Sequence, residues 1–150
     1  MQPQFTPQQI VEEACKKSMN ISALVKDSLL SDITVEGSDI LWPVTAQPCI
    51  CNRHRTLHGA VASDLMQCFS LLHLATYVGF PTNYETATLH VSLQRGVKRG
   101  GKCVVRTSIV KHGRQLSFLK AAMVDPEDPN KVYFTSEHTA SRTTAPSSKL

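Results

Sequence analysis

The run Thr56-Leu57-His58-Gly59-Ala60 opens the one long apolar helix in a chain otherwise patterned for strands. A helix start presents backbone N–H groups without intrahelical partners and carries a partial positive charge. Gly59 has no side chain to block an approaching ligand, and His58 stands beside the opening. Residue types in this order can hold a phosphate or polarise a carbonyl. Cys49, Cys51, His54 and His58 form a second set of chemically able side chains. A Cys-x-Cys on a strand points both thiols to one face. Their spacing matches none of the usual zinc patterns, and no metal site is assigned.

Several elements must position these groups. Residues 7–19 pattern as a short amphipathic helix started by Thr6-Pro7, with Ile10, Val11, Ala14 and Met19 on one face. Residues 28–36 and 39–50 pattern as a hairpin around Glu36-Gly37-Ser38-Asp39, and Pro43 and Pro48 make the second strand irregular or edge-like. A polar, basic loop follows over 51–58. From Gly59 to about Val78 one stripe holds Val61, Leu65, Cys68, Phe69, Leu72 and Ala75. Leu71 and Leu74 fall outside it, so the helix is apolar around much of its circumference and should be buried. Gly79-Phe80-Pro81 stops it.

Residues 85–94 alternate, with Ala87, Leu89, Val91 and Leu93 on one face and Thr86, Thr88, His90 and Ser92 on the other. Strands at 102–111 and 115–124 flank the turn Lys111-His112-Gly113-Arg114. A last strand at 131–140 follows the turn-rich loop Asp125 to Asn130. The order is α+β: an antiparallel sheet wrapped around a central helix, plus a short N-terminal helix.

One domain over residues 1–140 is expected, with 141–150 as a flexible tail. A net charge of +4 fits an anionic small ligand and is too scattered for nucleic acid. Five cysteines with no secretory signal read as reduced thiols in an intracellular compartment, and no apolar run is long enough to span a membrane. The chain ends Ser148-Lys149-Leu150, the tripeptide read by the peroxisomal import receptor. The expected location is the peroxisome or a related organelle such as the glycosome.

This order, with a His-Gly pair opening the central helix, resembles the hotdog fold. Over roughly residues 28–140 it resembles the acyl-CoA thioesterases of the phenylacetate-pathway and thioesterase-superfamily type. Asn52 stands six residues before His58, and Thr56-Leu57-His58-Gly59 matches the family's Thr-Leu-His-Gly run. The strand from Thr86 leads to Gly100, and Lys111-His112-Gly113-Arg114-Gln115-Leu116-Ser117-Phe118 matches a family hairpin. The resemblance implies that the Gly59 N–H stabilises an oxyanion. Asn52 and His58 would place the thioester or the water, and Thr86 would orient the water. It also implies sites shared between subunits of a homodimer or homotetramer, with coenzyme A thioesters as substrate and no further cofactor.

The chain departs from the family where the catalytic carboxylate belongs, nine residues after the histidine, because that position is Gln67. A neutral amide can hydrogen-bond a water but cannot accept its proton. Asp64 lies one turn earlier and can reach the same cleft, since residues three apart share a helix face. Asp64, Gln67 and Thr86 would then be analogous to the Asp-Gln-Thr set of other hotdog thioesterases. An acid in the first turns of a helix also has a plain structural role, stabilised by the dipole. Arg53, Arg55, Arg95, Lys98, Arg99 and Lys102 are candidates for docking the phosphates of coenzyme A. Three rival functions are a non-catalytic acyl-CoA or fatty-acid binding protein of the same fold, a hotdog hydratase or dehydratase, and a partner-binding module.

Overall fold

A helix apolar on most sides has to be wrapped, and the strands after it in sequence do the wrapping. The structure, a computed structural model, describes residues 2–16, 32–79 and 82–143. Their order is α1 (Pro7–Lys16), β1 (Thr34–Glu36), β2 (Asp39–Thr45), a 3₁₀ turn (Pro48–Ile50), α2 (Gly59–Val78), β3 (Tyr84–Leu93), β4 (Lys102–His112), β5 (Leu116–Val124) and β6 (Val132–Arg142). The strands form one antiparallel sheet in the order β1-β2-β4-β5-β6-β3.

The helix runs through the hollow of this sheet. On one side Phe69 stacks on Trp42 of β2, with ring centroids 5.0 Å apart and planes 2° from parallel. On the other, Leu71 and Leu74 pack with Tyr84, Leu119 and Ala140. α1 closes the remaining side, burying Ile10, Val11 and Ala14 in the same core. Gly79 ends α2 in the left-handed region, at φ 87°, with its N–H on Ala75 O.

The direction of α2 matters for the site. A Cβ on Gly59 would stand 3.5 Å from Leu93 Cδ1, so the helix begins at the Leu93 end of β3. Leu74 packs at the other end of β3, against Tyr84. The helix is therefore antiparallel to β3 and parallel to β6.

The structure departs from the sequence expectations in two places, the end of β2 and the alternation of β3, and leaves others outside the described residues. β2 stops at Thr45 rather than 50, because Pro48 opens the 3₁₀ turn. Pro43 lies inside β2, paired with Val104, beyond the residues that β1 pairs. The first helix covers Pro7–Lys16; residues 17–19, the start of the 28–36 strand, and the tail with Ser148-Lys149-Leu150 lie outside the described residues. The clean alternation over 85–94 is broken by a bulge between Thr86 and Thr88, which leaves Ala87 without a β6 partner. One extra residue flips the faces on either side of it. Thr86 thus shares the half-buried, inward face with Leu89 and Val91, while Ala87 and Leu93 are exposed.

Candidate functional site

The loop before α2 is held by Asn52. Its Oδ1 accepts hydrogen bonds from His54 N (2.9 Å), Thr56 N (3.2 Å) and Thr56 Oγ1 (3.1 Å). That use of the carbonyl leaves the amide N–H₂ as the free end of the side chain. Arg55 sits at φ 58°, in the left-handed region, inside this turn. The loop docks on residues 96–99: Leu57 N–H donates to Val97 O, Arg99 N–H donates to Arg55 O, and Thr56 bridges Lys98. Gly96 permits the docking, since a Cβ there would meet Thr56 Cγ2 at 3.1 Å.

His58 is the N-cap of α2. It has extended backbone, and its Nδ1 accepts the Ala60 N–H at 3.2 Å. An imidazole that accepts at Nδ1 carries its proton on Nε2. The Gly59 N–H makes no hydrogen bond among the described residues. A Cβ on Gly59 would find ordinary contact distances, so the fold of this chain does not itself require glycine there. The helix start therefore offers an unengaged donor on an unobstructed face.

Six cations lie on the two loops beside that opening and at the start of β4. Arg53, Arg55, Arg95, Lys98, Arg99 and Lys102 are all exposed, and the docking of the two loops brings them together. The ion pairs among the described residues involve other cations, namely Lys16, Arg106, Lys120 and Lys131. Six positive charges beside a helix N-terminus favour a polyanion.

The other candidates lie further along. Asp64 is exposed on the flank of α2, and the Cys68 thiol donates weakly to its Oδ1 at 3.9 Å. Burial, and then the Asp64 charge, push that thiol up to about 12. Gln67 is half-buried. At 1.5 Å per residue Asp64 and Gln67 stand about 7.5 and about 12 Å along the axis from Gly59. Thr86 is seven residues from Leu93, about 20 Å along β3 from the helix mouth. Within one chain the structure sets Asn52, His58 and Gly59 on one loop and helix start, with the 96–99 loop docked against it. It does not bring Gln67 or Thr86 to them.

Near Thr86 is a polar layer that the sequence reading missed. Thr86 Oγ1 and His138 Nε2 are 3.0 Å apart. His138 is 2% exposed and faces inward from β6 with Ser136, and burial lowers its pKa. His138 Nδ1, Ser136 Oγ and Ser70 Oγ are buried without hydrogen-bond partners. An unsatisfied buried polar atom costs about 1–3 kcal/mol. The signal in the sequence was the inward series Phe134, Ser136, His138, Ala140, in which polar residues occupy an apolar face.

Cys49, Cys51, His54 and His58 do not converge; no group of three or more such side chains among the described residues is placed to hold a metal ion. Cys51 Sγ turns to Ala46 O, and His58 is the helix cap. His90 is exposed on the outer face of the sheet, where with Arg106, Lys120 and Glu137 it lines a hollow of about 490 Å³ away from the helix mouth. Among the described residues no helix is long and apolar enough to cross a membrane.

No family model and no curated protein sequence matches the chain significantly. Solved structures do resemble it. Thioesterase superfamily member 2 from Mus musculus superposes with a TM-score of 0.73 at 18% identity, covering 91% of this chain and 97% of that one. The Escherichia coli PaaI protein from the phenylacetic acid degradation operon gives 0.72 at 11% identity, with 93% and 95% covered. A hypothetical thioesterase from Streptococcus pneumoniae TIGR4, crystallised with coenzyme A, gives 0.65 at 14% identity, with 77% and 88% covered. With a six-stranded antiparallel sheet around a long central helix, the chain has the hotdog fold of these thioesterase-superfamily structures.

Proposed function

We propose that the protein hydrolyses acyl-coenzyme A thioesters, at sites each assembled from two copies of the chain. The observation that carries this reading is the unengaged Gly59 N–H at the mouth of α2, with six exposed cations on the adjoining loops and the start of β4. A backbone N–H aimed at a developing oxyanion is worth about 10²–10³-fold in rate. The cations suit the phosphates of coenzyme A, and the coenzyme A complex of the pneumococcal structure agrees with that substrate.

The need for a second copy follows from lengths. Gln67 and Thr86 are about 12 and about 20 Å from their own Gly59 along their elements. β3 is an edge strand. Antiparallel pairing of two β3 edges about a two-fold axis sets the Leu93 end of one chain beside the Thr86 end of the other. The oxyanion donor of one copy then meets Gln67 and Thr86 of its partner, in a homodimer or a tetramer built from it.

In this mechanism Asn52 and His58 position the thioester, and Gln67 and Thr86 orient the water. Asp64, the only acid on α2, accepts its proton. Attack at the carbonyl builds charge at the Gly59 N–H, and collapse releases the acid and coenzyme A as thiol or thiolate. The thioester is the substrate, and no resident cofactor takes part. Ser148-Lys149-Leu150 directs the protein to the peroxisome or glycosome through the import receptor, which loss of organelle targeting on deletion of the tripeptide would check.

Gln67 favours a second reading, a binding protein that holds acyl-CoA or fatty acid without turnover. Thiol release from a panel of acyl-CoA esters separates the two, with Asp64→Asn and Gln67→Asp alongside. Turnover that collapses in Asp64→Asn supports the enzyme. Tight binding without turnover, with activity appearing in Gln67→Asp, supports the binding protein.

A further inference from the structure

We propose that His138 is a second proton acceptor of the site, acting through Thr86 on the attacking water. The inference rests on the thioesterase reading and adds a group that reading leaves out.

The geometry is that of a relay. Thr86 is half-buried on the inward face of the edge strand, and its hydroxyl lies 3.0 Å from His138 Nε2. The bulge at Ala87 creates this contact, because regular alternation would turn Thr86 to the outer face. When the Thr86 hydroxyl donates to Nε2, the imidazole carries its proton on Nδ1. Nδ1 has no hydrogen-bond partner, and the hydroxyls of Ser136 and Ser70 are likewise buried without one. Ser136 is two residues before His138 on the same face of β6. Ser70 is one turn before Leu74, which packs on Ala140.

The proton accounting closes. As water attacks the thioester carbon, one of its protons passes to Asp64; the other, on the hydroxyl of the tetrahedral intermediate, passes to the Thr86 oxygen while the Thr86 proton passes to His138 Nε2. When the C–S bond breaks, the sulfur takes the electron pair, and the proton returns along the same path to the thiolate. The acid, with the proton from Asp64, and the thiol of coenzyme A are released, and Asp64, Thr86 and His138 are restored.

The surroundings keep the imidazole neutral before attack. Burial alone lowers its pKa. Its register partners are Leu119 of β5 and Leu89 of β3, and Leu74 of α2 packs with Leu119 and Ala140 beside it, none of them charged. His73, one turn beyond Ser70, is engaged with Thr107 of β4. Glu85, His90, Lys120 and Glu137 are exposed on the outer face.

The test is thiol release across pH by the full chain and by His138→Gln, Thr86→Val and Thr86→Ser, each checked for native melting. Glutamine can accept from Thr86 but cannot take a proton. The expected result for His138→Gln is a fall in kcat of about 10²-fold at unchanged KM, with loss of the acid limb whose midpoint lies below the ordinary histidine value. Thr86→Val should do the same, Thr86→Ser should restore both, and the double variant should cost no more than either single one. A His138→Gln enzyme that melts normally and keeps kcat and the acid limb overturns the proposal and leaves the thioesterase reading standing. A wild-type protein that turns over no acyl-CoA ester overturns both.

Discussion

His73 Nδ1 and Thr107 Oγ1 lie 2.9 Å apart in the fully buried seam between the central helix and β4. The same hydroxyl accepts the Trp42 indole N–H at 2.9 Å. Loss of water around His73 lowers its pKa to about 4, a fall only partly opposed by Asp39 and Thr107. Unfolded, the imidazole titrates near 6.5. Between those values the unfolded chain binds the extra proton, so stability is complete above pH 6.5 and is lost as pH falls toward 4. Urea unfolding at pH 7.5 and pH 4 should differ by up to about 3 kcal/mol from this residue. His138, shifted in the same direction, adds to the loss.

Thr107→Val should show what that hydroxyl does. It strands the Trp42 N–H and His73 Nδ1 together in the interior. An expected loss of about 1–3 kcal/mol would be read by chemical denaturation at neutral pH. A loss below 0.5 kcal/mol, the scale of an ordinary surface change, would mean that the two groups find other partners.

Gly59→Ala separates fold from chemistry. The new methyl meets Leu93 at an ordinary 3.5 Å. Melting should move by no more than about 2 °C, whereas thiol release should fall by about tenfold or more as the methyl crowds the N–H that receives the carbonyl. Equal losses in both measurements would argue that Gly59 serves only the fold.

Asn52 has two ends with different work. Asn52→Asp keeps the oxygen that holds His54 and Thr56, and Asn52→Ala removes it. The alanine variant should lose about 1–2 kcal/mol. The aspartate variant should melt nearly as the wild type and lose turnover, because the free amide donor is gone.

The cations at the helix mouth should act on binding rather than on the chemical step. Arg99→Glu is expected to raise KM for acyl-CoA about tenfold at low salt, with kcat little changed. The effect should shrink as added salt shortens the screening length. Lys120→Glu, on the outer face, is the control that should leave KM alone.

The helix boundaries were legible to the residue, because Gly59 and Gly79 are local signals and the apolar pattern between them has nowhere to be but inside. The basic rim was legible as two separate clusters; only the docking of Thr56 on Lys98 makes them one. The facing of Thr86 was not legible, since the bulge depends on how β3 and β6 register rather than on either segment alone. His138 escaped notice for a related reason. Its strand interleaves inward Ser and His with outward Thr and Glu, and the two faces look alike until the sheet is closed over the helix.

The stacking of Trp42 on Phe69 also gives the molecule a built-in lamp. Trp42 is the chain's only tryptophan and is fully buried. Its emission should be blue-shifted in the native state and report on a single place, the seam between sheet and helix. Cationic imidazoles quench indole light, so protonating His73, which shares the Thr107 hydroxyl with Trp42, should dim the signal before it shifts red. Acid loosening of the seam and complete unfolding would then be distinguishable by colour and intensity, in one titration and without a label.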